Sequence, residues 1–202
     1  SLWLSVDPLA EKYPNISSYT YCANNPVNMI DPDGRWIAGI DGKPVTYKNG
    51  SWSSNTSKAV QRVGAALMET NTGTERLSIM FDNTDKISIF ISPEVKLNDD
   101  GSFLTGAVKP QGVKLFKDGK VTVEEYKMTI YEGSIYQLTR EDAGDNQLKG
   151  LSVDEAIGVV AGHESGHTEN ENTKMSINNK LNGANNNVEV KPNQIDSKIN
   201  VE

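Results

Sequence analysis

The stretch SVDEAIGVVAGHESGHT, residues 152–168, decides how this chain reads. Ser152 followed three residues later by Glu155 fits a helix capping box, and Asp154 and Glu155 suit the positive end of a helix dipole. At 100° per residue, Val153, Ala156, Ile157 and Val160 fall on one side. His163, Glu164 and His167 fall on that side too, so the spacing predicts a helix that turns all three toward the body of the domain. Gly158, Gly162 and Gly166 line the opposite part. Three helical glycines cost roughly 1 kcal/mol each relative to alanine, and their spacing makes a smooth strip that another backbone can approach closely.

These are the chain's two histidines. Side chains at i and i+4 stack one turn apart, so both imidazoles can reach one Zn²⁺ at about 2.0–2.1 Å. Glu164, one residue on, points slightly aside. It can reach water activated by the metal, take a proton from it as general base, and pass a proton to a leaving amine. A polar patch on an amphipathic helix is the bland alternative, and a full His-Glu-x-x-His match on a helix is the narrower event.

A hydrolytic zinc usually takes three protein ligands and leaves one position for water. No third histidine exists here, so a carboxylate must serve. The candidates are Glu169, Glu171, Glu189 and Asp196. Glu169 and Glu171 follow His167 closely and can swing back only if the helix stops there. Glu189, in NNVEVKPNQIDSKI, has enough intervening chain to turn and return, and is the favoured ligand. Asp196 is alternatively a partner that holds a histidine. Tyr126, Tyr131, Tyr136 and Arg140 are candidates for an oxyanion contact, and nothing in the sequence selects among them.

Outward from this stretch, the 202 residues suffice for a real core, although apolar residues make up only 36%. The net charge of −7 and the lack of a lysine/arginine block weigh against a nucleic-acid partner. Cys22 is the single cysteine, which excludes an intrachain disulfide. No apolar run approaches the ~20 residues of a membrane span.

Local patterning predicts further elements. Residues 35–56 read as a short β region with turns at DGK and KNG. Residues 57–70 have helical spacing, with Val60, Val63 and Leu67 as an apolar stripe, ended by the NTG at 71–73. LSIMFD (77–82) and KISIFIS (86–92) read as two strands joined by an NTD hairpin turn. Residues 93–111 read as loop, 113–116 and 121–131 as strands split by KDGK, 135–139 as a further strand, and 194–199 as a last helix. Strands followed by a key helix predict an α+β fold with an antiparallel sheet.

Two resemblances follow. His163-Glu164-Ser165-Gly166-His167 resembles the zincin signature, and with a later glutamate the chain resembles the gluzincin branch. That implies a zinc-dependent metallopeptidase in which His163, His167 and Glu189 bind Zn²⁺ and Glu164 is general base. Separately, LWLSVDPLAEKYPNISSYTYCANNPVNMIDPDG, residues 2–34, resembles the end of the RHS repeat-associated core. In that family a large β-rich shell precedes a variable C-terminal domain, often a toxin used between bacteria. Some members cut themselves just after DPxGL. Here Arg35 follows Gly34, a departure from that element. The resemblance implies that residues 1–34 are a core tail and 35–202 the variable domain. It also implies a secreted or cell-surface protein, delivered into a target cell, with an upstream shell and an immunity protein as partners. The expected function is therefore a peptidase effector acting on a protein or peptide substrate. The alternatives are a non-catalytic, metal-stabilised or degenerate binding module, and an amidase acting on cell-wall peptides.

Overall fold

The computed structural model describes residues 36–115, 121–169, 173, 175, 176 and 192. By its contacts the chain divides into two units, Ser1–Gly34 and Arg35–Glu202, and the described residues all belong to the second. The expected helix at 194–199 lies outside them.

The described residues form an α+β fold. The elements, in chain order, are β1 (Tyr47–Lys48), β2 (Ser51–Trp52), α1 (Lys58–Leu67), α2 (Asn71–Phe81), β3 (Lys86–Ser92), β4 (Gly106–Gln111), β5 (Lys114–Leu115), β6 (Val121–Thr122), β7 (Glu125–Tyr131), α3 (Glu132–Thr139) and α4 (Val153–His167). The KNG turn closes the β1–β2 hairpin, with Asn49 at φ 51° and Gly50 at φ 77°. Two consecutive positive φ values match the twist of a two-residue hairpin turn, and asparagine and glycine tolerate them best.

α1 begins where Ser57 accepts a hydrogen bond from the Val60 N–H at 3.2 Å. Its stripe of Val60, Val63, Ala66 and Leu67 is buried, as the spacing predicts. The NTG at 71–73 does not end a helix; it opens the next one. Thr70 caps α2 through a 2.9 Å hydrogen bond from the Gly73 N–H. Residues 77–81 are therefore helical, not the expected strand. LSIMF alternates like a strand, yet the residues α2 buries are Gly73, Arg76, Leu77 and Met80, which is helical spacing. The cap and that buried face outweigh the local alternation.

With α2 in place there is no hairpin into β3. β3 instead runs parallel to β7, in register from Lys86 opposite Glu125 to Ser92 opposite Tyr131. β4 runs antiparallel to the other edge of β7, from Gly106 opposite Ile130 to Gln111 opposite Glu125. The central sheet is thus mixed, in the order β3-β7-β4, and corrects the expected antiparallel sheet. Residues 36–38 extend it beyond β3, through a parallel bridge between Ile37 and Ile87.

β4 also corrects the reading of 93–111 as loop. Glycine, lysine, proline and glutamine are poor strand formers, so pairing with β7, rather than propensity, makes this segment a strand. Pro110 has no N–H and is tolerated because β4 is an edge among the described residues. The expected strand at 135–139 is likewise helical. Within IYQLT, only Ile135 is fully buried and Leu138 packs against the core, a spacing of three that suits α3.

Ile87 and Ile89 of β3 and Tyr126, Met128 and Ile130 of β7 are buried and alternate along their strands. They join Val60, Val63, Leu67, Met80, Ile135, Ile157 and Val160 from the helices in one core. On the opposite face Phe90 is half exposed. α1 and α4 meet at Gly158, where an added Cβ would lie 3.0 Å from the Ala66 carbonyl oxygen. One position of the glycine strip thus admits the close backbone that its spacing suggests.

The cap distinguishes a helical α2 from the strand that local alternation suggests. Thr70→Ala should lower stability by about 1 kcal/mol, and Thr70→Asp, also a good cap, should retain it. Urea unfolding checks this, and a parental midpoint for Thr70→Ala would contradict the helix start.

Candidate metal centre

α4 has the local start that the sequence predicts. Ser152 Oγ accepts the Glu155 N–H at 3.2 Å, and Glu155 Oε2 accepts the Ser152 N–H at 2.7 Å. The hydrogen bonds from Ser152 hold the Glu155 carboxyl below the usual carboxylate range. Arg62 in the middle of α1 bridges Asp154 at 2.7 Å and Glu132 of α3 at 2.6 Å, tying the starts of α3 and α4 to α1.

At the other end of α4 the two histidines stand one turn apart. Their Nε2 atoms are 3.3 Å from each other, and the rings are 5.2 Å apart by centroid and tilted by 54°. Both rings are half-buried, whereas Glu164 is only 6% exposed. All three line one cleft of about 550 Å³. Phe103, Leu104, Thr105 and β4 form one wall, and Val159 and Val160 of α4 another. Asn98, Gln147, Leu148 and Ser176 complete the described lining. Among these residues Glu164 is the single carboxylate, and none is lysine or arginine.

β4 crosses closest to α4 at Gly106. A Cβ there would lie 2.6 Å from Glu164 Oε1, 2.7 Å from Glu164 Cγ and 2.8 Å from Val160 Cγ1. The bare backbone of Gly106 therefore sets where the Glu164 side chain can lie. The sequence reading missed this residue, because residues 93–111 were expected to be loop. A lone glycine in LTGAVKPQ is the signal: inside a strand it marks a close backbone approach.

Among the described residues, no three of His, Cys, Asp and Glu converge as a metal-binding group. The favoured third ligand, Glu189, lies outside the described residues, as do Glu171 and Asp196. Glu169 is described, and its Oε1 is 2.8 Å from Nη2 of Arg76. Arg76 is 5% exposed and also donates from Nε to Ser165 Oγ, inside the histidine motif, at 2.8 Å. Neither Arg76 nor its role could be read from α2 taken as a strand.

The candidate oxyanion groups lie away from the described cleft lining. Tyr126 is fully buried and shares a 2.6 Å hydrogen bond with Thr173 Oγ1, and burial pushes its hydroxyl up to about 12. Arg140 pairs with Asp142, Tyr136 is exposed, and Tyr131 precedes α3 without a capping side-chain hydrogen bond.

No family model, curated protein or solved structure matches this chain.

Gly106→Ala should destabilise the fold by about 1–3 kcal/mol, the usual cost of overpacking. The cost should shrink in a Glu164→Ala background, where two of the three close contacts disappear. A double-mutant cycle by chemical unfolding measures this coupling. Purely additive effects would show that Gly106 does not constrain Glu164.

Proposed function

We propose that residues 35–202 form a zincin-like, zinc-dependent peptidase domain, with His163 and His167 as ligands and Glu164 as general base. The observation that carries this reading is the 3.3 Å between the two Nε2 atoms. Two nitrogens at about 2.0–2.1 Å from a tetrahedral zinc lie ~3.3 Å apart. The histidine pair therefore fits a single ion with little movement. The third ligand in this reading is Glu189, as the gluzincin resemblance implies.

When bound, zinc supplies a positive charge that lowers the pKa of water to about 7 and polarises a carbonyl. The remaining steps belong to the chain. His163 and His167 hold their rings on one face of a buried helix. Glu164 takes the proton from the attacking water and delivers it to the leaving amine. Its near-complete burial under Gly106 restricts the carboxylate to few orientations and keeps bulk water away from it.

A peptide substrate suits the cleft wall. β4 pairs with β7 along one edge and, among the described residues, has no strand on the other. An extended peptide can add to such an edge through main-chain hydrogen bonds. At the Gly106 end of β4 it would pass over Glu164 and the histidines.

The setting in this reading is the variable C-terminal domain of an RHS-type polymorphic toxin. Such a domain is secreted or displayed at the surface, delivered into a target cell and neutralised by an immunity protein. Its support is the resemblance of residues 2–34 to the end of an RHS core.

Elemental analysis of purified protein should find about one zinc per chain, lost in His163→Ala and in His167→Ala. Glu164→Gln should keep the zinc and lower hydrolysis of a fluorogenic peptide library by about 10²–10⁴-fold. Protein that takes up no zinc from a zinc-replete buffer would sink the metal assignment. Full activity in Glu164→Gln would remove Glu164 as base. Zinc uptake with no cleavage by the parent would favour a metal-stabilised binding module.

A further inference from the structure

We infer that α2 acts as a latch on the last turn of α4, with Arg76 as a positioning residue that sets His167 relative to His163. This rests on the zinc reading of the histidine pair. The two histidines sit at different depths in α4. His163 lies inside α4, one full turn from its end, whereas His167 is the last residue of the helix. Helix ends fray, because the final carbonyls lack intrahelical partners. A fraying last turn would carry off one of two paired ligands and leave the other in place.

The residues around His167 are anchored to α2 and the residues just after it. Arg76 donates from Nε to Ser165 Oγ and from Nη2 to Glu169 Oε1, both at 2.8 Å, so it holds the chain two residues before His167, inside α4, and two residues after it, just past the helix. Ser165 Oγ in turn donates a hydrogen bond to the Gly162 carbonyl at 2.6 Å. Asn83, just past the end of α2, donates from Nδ2 to the Thr168 carbonyl at 3.1 Å and lies 3.3 Å from Thr168 Oγ1. Thr168 Oγ1 in turn donates to the Ser165 carbonyl at 2.7 Å. Ser165 and Thr168 are fully buried.

The chemistry favours arginine at this place. A guanidinium offers two rigidly spaced donors, so one planar group can satisfy the serine and the carboxylate together, which an ammonium on a flexible stem does poorly. A cation beside the carbonyl end of a helix is also favourable. Burying that cation costs free energy unless it is paired, so loss of either partner weakens the contact. Small displacements at such a point matter, because ligands must sit within about 0.5 Å of productive geometry. The same pairing gives the Glu169 carboxylate a role as a latch partner.

The test is zinc affinity, measured by chelator competition on the full chain well below the melting temperature. Arg76→Met should weaken zinc binding by about 10–100-fold, the usual effect of losing a group that orients a metal ligand. Ser165→Ala and Asn83→Ala, which each remove only part of the latch and cannot themselves bind zinc, should weaken it less. Arg76→Lys should restore only part of the loss. Val63→Ala, a core truncation in α1, is the control for a general loss of stability. If Arg76→Met does not fold, Ser165→Ala and Asn83→Ala carry the test. Parental affinity in the latch variants would overturn the latch, as would an equal loss in Val63→Ala at matched melting temperature. Tighter binding in Arg76→Met would also overturn it, because Glu169 would then be a ligand freed from Arg76. A parent that binds no zinc would overturn the zinc reading and the latch together, so the two failures are distinguishable.

Discussion

α4 is enclosed on nearly every side from Ala156 to Gly166, yet it must bring two imidazoles and a carboxylate to an open cleft. The rest of the structure answers that conflict. Most of the helix is small or aliphatic, so α1 can close on Gly158 and β4 can close on Val160. Within that enclosed stretch the polar side chains begin only at His163. There the packing elements change from apolar partners to hydrogen-bonding ones, chiefly Arg76 and Asn83. A buried polar group is tolerated where its partners are in place, and this end of α4 is supplied with them.

The mixed sheet is what brings β4 to that position. β7 occupies the centre, flanked by a parallel β3 and an antiparallel β4. Reversing the direction of the last strand puts its Gly106 end beside Glu164, and its register on β7 fixes which residue arrives there. A slip of one residue would turn the other face of β4 toward the helix and present a side chain where only a bare Cα fits.

Elements whose signals are local were readable from the sequence. α1 carries Ser57 as a cap and a stripe at helical spacing, and α4 carries a complete capping box. Elements whose state depends on distant partners were not. LSIMF has the alternation of a strand, and becomes helical because Thr70 caps α2 and Leu77 and Met80 bury against the core. LTGAVKPQ has little strand propensity, and becomes a strand because β7 pairs with it. Neither the parallel pairing of β3 with β7 nor the helical state of 135–139 leaves a signature in a short window.

The candidate site divides in the same way. The sequence by itself determined that His163, Glu164 and His167 share a helical face, because a period of 3.6 residues and a cap at Ser152 place them there. Only the tertiary structure decided what meets that face. Gly106 arrives from β4, Arg76 and Asn83 from a helix the local pattern concealed and the turn after it, and Glu169 is drawn to Arg76. The physical reason is that backbone periodicity acts over a few residues, whereas close approach and charge pairing join residues dozens of positions apart.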